Sequence, residues 1–275
     1  MIGVKPVDNS LTLQPCVMMM MNEMMRPVLT FDSGLGGLSV FRHLVAAAPK
    51  LDHIYVADDL SFPVGDWEEG ALIEHCIKTI GGLISQYNPC LVVIACNTES
   101  TLIMAALREN FDIPFVGTVP AVKPAASQTQ TGLVSVLATP GTVKRDYTRA
   151  LMDAYASHCR VTLVGAGQLA MLAEAYMIEG FIDENAVLAE IEPCFVEDGD
   201  KKTDVVVLAC THYPLLLPVF EKLAPWPVLW LDPAPAIARQ ALVVLDSNIE
   251  GGGQRHYLMT SGAAFPMSAV DQCLL

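Results

Sequence analysis

The feature that most constrains this 275-residue chain is a word it uses twice. Val92-Val93-Ile94-Ala95-Cys96-Asn97-Thr98 in the first half returns as Val206-Val207-Leu208-Ala209-Cys210-Thr211-His212 in the second. Each copy closes the third of four short β-branched runs. The first set is Val28 to Phe31, His53 to Asp58, Leu91 to Cys96 and Pro114 to Thr118; the second is Val134 to Thr139, Val161 to Gly165, Val205 to Cys210 and Val228 to Asp232. Between the runs lie helical patterns with apolar residues spaced near three and four, as in 37–47, 71–87, 101–110, 144–158, 168–180 and 184–195. Such alternation buries each strand on both faces and calls for parallel sheets covered by helices. The expected class is therefore α/β, with two pseudo-symmetric domains, each a short, mostly parallel sheet flanked by helices. Ligands in open α/β sheets bind beyond the carboxyl ends of the strands, so both cysteines point to a shared cleft between the domains. A single Ala-Cys ending is accounted for by burial, because unpaired cysteine is among the most buried residue types. Two matched endings ask for more.

Length and composition agree with two units of ordinary size. At 52% hydrophobic and 17% charged residues the chain can bury large cores, which excludes global disorder. Thirty Asp and Glu against sixteen Lys and Arg give a formal charge of −14, the wrong sign for nucleic acid or an anionic membrane surface. The eight cysteines carry no CxxC pairs and read as reduced thiols, which fits a cytoplasmic location. No apolar run approaches the roughly 18–20 residues that span a bilayer. Residues 1–26, with a methionine run cut by Asn22 and Glu23, lack the pattern of a secretory signal and read as a loose N-terminal extension.

A cysteine where a strand meets a helix sees backbone N–H groups and the positive end of the helix dipole, which favour the thiolate and are expected to lower its pKa. Two such thiols flanking one ligand suit removal of a proton from one face and delivery to the other, whereas hydrolysis needs one nucleophile and a base. Asn97, Thr98 and Thr211 supply short polar groups where the carboxylate of an amino acid could dock, though each is also an ordinary helix-capping type. Other chemistries fit less well. Gly165-Ala166-Gly167-Gln168-Leu169-Ala170 matches a dinucleotide fingerprint, but Glu190 and Glu192, the acids at the right distance, fall in a helical pattern rather than at a strand end. A cysteine hydrolase built on Cys210 and His212 leaves Cys96 idle, and the spaced pairs of a structural zinc site are missing from the sequence.

Asp32-Ser33-Gly34-Leu35-Gly36-Gly37, Ala95-Cys96-Asn97-Thr98 and Cys210-Thr211-His212-Tyr213-Pro214, in that order, resemble the glutamate racemases of the cofactor-independent aspartate/glutamate racemase superfamily. The similarity runs from Val28 to about Asp232, and histidine after Cys-Thr points to glutamate rather than aspartate. The resemblance implies interconversion of L- and D-glutamate without any cofactor, in supply of peptidoglycan synthesis, with the active site in the interdomain cleft. It also implies a first domain of 27–121 plus 236–275 and a second of 122–235. Carried over by residue, Cys96 and Cys210 match the acid/base pair, the former acting on the D-isomer and the latter on the L-isomer. Asp32 matches the group that assists Cys96, and His212, with Glu174, those that assist Cys210. Asp32, Ser33, Val64, Gly65, Asn97, Thr98, Thr142, Thr211 and His212 correspond to substrate contacts. Two departures stand out: Val64 replaces the tyrosine of a Pro-Tyr-Gly segment, and Glu99 stands where alanine is common. Glu99 is expected on the first turn of the following helix, where a negative charge suits the dipole. The family further implies a homodimer and, for some members, a peptidoglycan-precursor activator. The competing reading is a racemase-like binding or regulatory protein without turnover.

Overall fold

The computed structural model describes residues 26–245 and 251–274. All but the last residue of the expected N-terminal extension, and Cys16 with it, lie outside that range. The first half runs β1 (Val28–Asp32), α1 (Leu38–Ala47), β2 (His53–Ala57), α2 (Glu69–Tyr87), β3 (Leu91–Ile94), α3 (Asn97–Asn110) and β4 (Phe115–Gly117). The second continues α4 (Val122–Gln128), β5 (Leu133–Ala138), α5 (Pro140–Lys144), α6 (Asp146–Tyr155), β6 (Arg160–Gly165), α7 (Leu169–Glu179) and α8 (Glu184–Ile191). A two-residue-stranded hairpin, β7 (Glu197–Asp198) with β8 (Lys201–Lys202), precedes β9 (Val205–Ala209), α9 (Leu217–Leu223) and β10 (Leu229–Leu231). The tail adds α10 (Ala234–Val244), β11 (Arg255–Met259) and α11 (Met267–Leu274).

The two main sheets are wholly parallel, in the orders β11-β2-β1-β3-β4 and β10-β9-β5-β6. Read from the other edge, the second is β6-β5-β9-β10, the same order as β2-β1-β3-β4. The first and third strands of each half are therefore neighbours, and Cys96 and Cys210 follow the third strand in both. The strands β1, β2, β3, β5 and β9 are buried along their whole length, as a sheet covered on both faces requires.

One strand goes beyond the four-and-four pattern of the sequence. β11 extends the first sheet by pairing with β2, Arg255 opposite His53 through Met259 opposite Ala57. The backbone of Gly252 and Gln254 donates to Asp52 Oδ1 at 2.9 and 2.8 Å, which sets that register. The ring of Phe41 on α1 lies edge-on to Tyr55 of β2 and Tyr257 of β11, with centroids 5.4 and 5.6 Å apart, so α1 clamps the added strand. α10 lies against α1, β3 and β4, and α11 touches both α1 and α7, so the tail bridges the halves.

Phe41 is fully buried at this junction. Phe41→Ala is expected to cost roughly 3–5 kcal/mol, seen as a lower urea midpoint with an unchanged slope. A loss below about 1 kcal/mol, the usual size of a surface change, would show that the clamp contributes little.

Candidate active site

The carboxyl ends of the two sheets face one cavity of about 120 Å³, against the roughly 10–15 Å³ that a single water needs. Its wall contains Ser33 beyond β1, Cys96, Asn97 and Thr98 beyond β3, Thr139 and Pro140 beyond β5, Ala166 and Gly167 beyond β6, and Cys210, Thr211 and His212 beyond β9. Phe62, Pro63, Val64 and Gly65 close one side, and Ala170 and Met171 of α7 another. Both cysteines are buried in protein yet reach this one space.

Cys96 is the N-cap of α3, and the Ser33 hydroxyl donates to its sulfur at 3.5 Å. Expectation and structure part here, because the Cys96 thiol is pushed well above the ordinary cysteine range rather than below it. Burial contributes most, followed by the carboxyls of Glu99 and Asp32; together they outweigh the Glu99 N–H and the Ser33 hydroxyl, which favour the thiolate. Cys210 lies 3.8 Å from Nδ1 of His212. His212 Nε2 lies 2.9 Å from Oε1 of Glu174, a residue that α7 turns toward the site rather than to solvent. Burial pulls the His212 imidazole down, but its bonds to Cys210 and Glu174 prevail and hold it well above its usual value. An imidazolium donates from both nitrogens, Nδ1–H to the Cys210 sulfur and Nε2–H to Glu174. The Gly36 N–H, 3.2 Å from the same Nε2, is then a packing contact rather than a hydrogen bond.

These groups span the two halves. The Leu35 N–H donates to Glu174 Oε1 at 2.6 Å and the Thr211 hydroxyl to Asp32 Oδ1 at 3.1 Å. Thr98 shares a triangle of hydroxyls with Thr139 and Thr142, at 2.8 and 3.2 Å. The glycine at 36 is dictated by this arrangement, since a Cβ there would run into the His212 ring. Asp32, Glu174 and Thr142 do not reach the cavity; they stand behind Ser33, His212 and Thr98. In the Ala-Thr-Pro-Gly-Thr-Val loop the exposed hydroxyl is that of Thr139, the N-cap of α5, while Thr142 sits inside the first turn. Val64 is part of the wall and of the apolar core beneath it, and the Phe62 ring lies 5.5 Å from that of His212. Sequence reasoning missed Thr139, Pro140, Phe62, Ala166, Gly167, Ala170 and Met171, although the strand-end rule applied to β5 and β6 could have found most of them.

The residues that could have served other chemistries are arranged differently. Glu190 lies on α8, where Oε2 accepts from the Gln168 N–H at 3.3 Å, so it caps the Gly165–Ala170 loop instead of ending a strand as a ribose-binding acid would. Among the described residues no three His, Cys, Asp or Glu side chains converge as a metal site, and no helix is long and apolar enough to cross a membrane.

Two parallel sheets with matched cysteines over one cavity define a class, and comparison with known proteins bears it out. The chain belongs to the Asp/Glu/hydantoin racemase family, whose model matches residues 36–241. It is 56% identical over 241 residues to a glutamate racemase of Mesorhizobium japonicum, covering 86% of this chain and 92% of that one. The glutamate racemase of Rhizobium meliloti is likewise 56% identical over 242 residues, covering 86% and 87%. Among solved structures, the Escherichia coli glutamate racemase in complex with L-glutamate and the activator UDP-MurNAc-ala superposes with a TM-score of 0.80 at 35% identity, over 90% of this chain and 93% of that one. Within the family, the chain falls among the glutamate racemases, amino-acid isomerases that work without a cofactor and make D-glutamate for peptidoglycan.

Burial raises the Asp32 carboxyl to about 6, against the pull of His212 and of hydrogen bonds from Gly37, Gly34 and Thr211. The folded protein thus holds this proton more tightly than the unfolded chain does. The stability that results is fully present below about pH 4 and is lost as pH rises through 6. Asp32→Asn should therefore gain stability relative to the parent at pH 8, up to roughly 3 kcal/mol less the cost of weaker hydrogen bonds, and gain little at pH 4. Thermal melts at the two pH values check this; an equal change at both would disconnect Asp32 ionisation from stability.

Proposed function

We propose that Cys96 and Cys210 are the two acid/base groups that invert the α-carbon of glutamate, Cys210 taking the proton from the L-isomer and Cys96 from the D-isomer. The observation that carries this reading is that both sulfurs, at equivalent strand ends of the two sheets, line one cavity. In the L-to-D direction the resting pair is a Cys210 thiolate beside the His212 imidazolium, with a Cys96 thiol opposite. The thiolate takes the α-proton, and the Cys96 S–H delivers one to the other face. The charge moves from one sulfur to the other, and no net proton is gained or lost.

Glu174 anchors His212 through Nε2 and leaves Nδ1 for Cys210. Asp32 acts from behind, holding Thr211 and the Gly34 N–H, while Thr142 steadies Thr98. Ser33, Val64, Gly65, Asn97, Thr98, Thr211 and His212 form the substrate wall. Both polar atoms of the Asn97 amide are buried without a protein partner, a capacity suited to the carboxylate and ammonium of an amino acid. Val64 offers no hydroxyl, so the wall on that side acts by shape.

The E. coli relative was captured with L-glutamate and UDP-MurNAc-ala, and we extend both to this chain, glutamate as substrate and a peptidoglycan precursor as activator. The division into 27–121 plus 236–275 and 122–235 is supported by the packing of α10 on α1. A homodimer in the cytoplasm, free of nucleic acid and membrane, completes the reading on the strength of the family and the acidic charge.

Incubation with L-glutamate in D2O should give loss of optical activity with deuterium at the α-position, read by circular dichroism and mass spectrometry. Cys96→Ala and Cys210→Ala should each lower turnover by at least ~10²-fold. A variant that racemises normally would remove that cysteine from the mechanism.

A further inference from the structure

The acid/base scheme leaves one buried acid beside it unused. Glu99 is the third residue of α3, one turn beyond Cys96, and is fully buried. Its Oε1 accepts from the Cys76 thiol of α2 at 3.8 Å, while Oε2 has no partner. The groups that face it are acids and thiols: Asp32 at the end of β1, Asp58 beyond β2, Cys76 and Cys96. Asp58 is held by the His75 ring of α2 at 2.7 Å and the Thr260 hydroxyl at 2.6 Å. α5, which packs on the same end of α3, brings threonine hydroxyls there and leaves Lys144 exposed. A second negative charge in such a place has no counter-ion to offset its desolvation.

We propose that Glu99 is a positioning acid for Cys96: lying next to the sulfur among other acids and with no cation of its own, it opposes loss of the Cys96 proton in the free enzyme and so sets the form in which the site waits for L-glutamate. This rests on the acid/base roles proposed above. Burial and the charges of Asp32 and Asp58 push the Glu99 carboxyl well up, and Glu99 in turn helps push the Cys96 thiol up, so a charge on Glu99 opposes a charge on Cys96. Cys210 faces an imidazolium instead. When the two sulfurs hold one proton between them, it stays on Cys96, and Cys210 is the thiolate. Because the two enantiomers of glutamate have equal free energies, kcat/KM in the two directions keeps a fixed ratio at every pH. Glu99 therefore acts on which sulfur is nucleophilic at rest, not on the final mixture.

The test is competitive alkylation. Wild type, Glu99→Gln and Glu99→Ala are exposed to limiting iodoacetamide across a pH series, and the label on Cys96 and on Cys210 is measured by mass spectrometry. Wild type should label at Cys210 first. In both variants the Cys96:Cys210 ratio should rise by about tenfold, the equivalent of one pKa unit, with Cys96 labelling shifted to lower pH. Cys210 labelling should stay as in wild type, which also reports an intact site in each variant. The alkaline limb of kcat/KM, where the Cys96 proton is lost, should move down in pH by the same amount for both substrates. An unchanged ratio in a natively melting Glu99→Gln protein overturns the inference. Failure of the underlying mechanism has a different signature, namely a Cys96→Ala protein that still racemises.

Discussion

The site depends on hydrogen bonds that cross between the two halves of the chain. Thr211 reaches Asp32, the Leu35 N–H reaches Glu174, and Thr98 meets Thr139 and Thr142. Each joins a residue of one half to a residue of the other. The spacing of the two sulfurs is thus governed by contacts within the cavity walls rather than by a remote hinge. Small residues are required where these contacts converge: with a side chain at Gly36, the His212 ring could not approach the loop after β1.

Equivalent positions in the two sheets have acquired opposite electrostatics. Around Cys96 are Asp32 and Glu99, with Asp58 beyond Glu99, all buried carboxyls. Around Cys210 is an imidazole held charged by Glu174 and by the sulfur itself. Two-fold symmetry survives in the backbone, in the strand order and in the Ala-Cys endings, but not in the charge that each thiol meets. A proton-transfer site with two unlike thiols has a defined resting state, whereas two equivalent thiols would share the proton evenly.

Much of this was legible in the residues. Parallel strands covered on both faces require unbroken β-branched runs, and the eight such runs form the eight strands of the pseudo-symmetric core. β11 was not legible, because Arg-His-Tyr-Leu-Met is an edge strand, only partly buried, whose place depends on Asp52 some two hundred residues away in the chain. Cys96, Cys210 and His212 stood out through the repeated word, and Ser33 and Asp32 through the glycine loop. Thr139, Ala166 and Gly167 carry no chemical signature of their own; position at a strand end is what brings them to the wall. The helix-dipole argument for Cys96 gave the wrong sign, since Asp32 is a neighbour only in space and burial has no sequence marker. Glu99 was placed on the correct turn, but its contact with Cys76 depends on how α2 packs against α3.

The parallel pairing of β11 with β2 also bears on how the molecule is made. The first sheet opens near the start of the chain, yet its edge is filled by 255–259, with Asp52 waiting for the backbone of Gly252 and Gln254. During synthesis the β-turn-α units of the second half emerge and can collapse while that edge is still bare. An uncovered strand is a template for pairing with other chains, and contacts so distant in sequence form slowly. The interval between translation of β2 and arrival of the tail is therefore when this polypeptide is most exposed to aggregation and most in need of a chaperone.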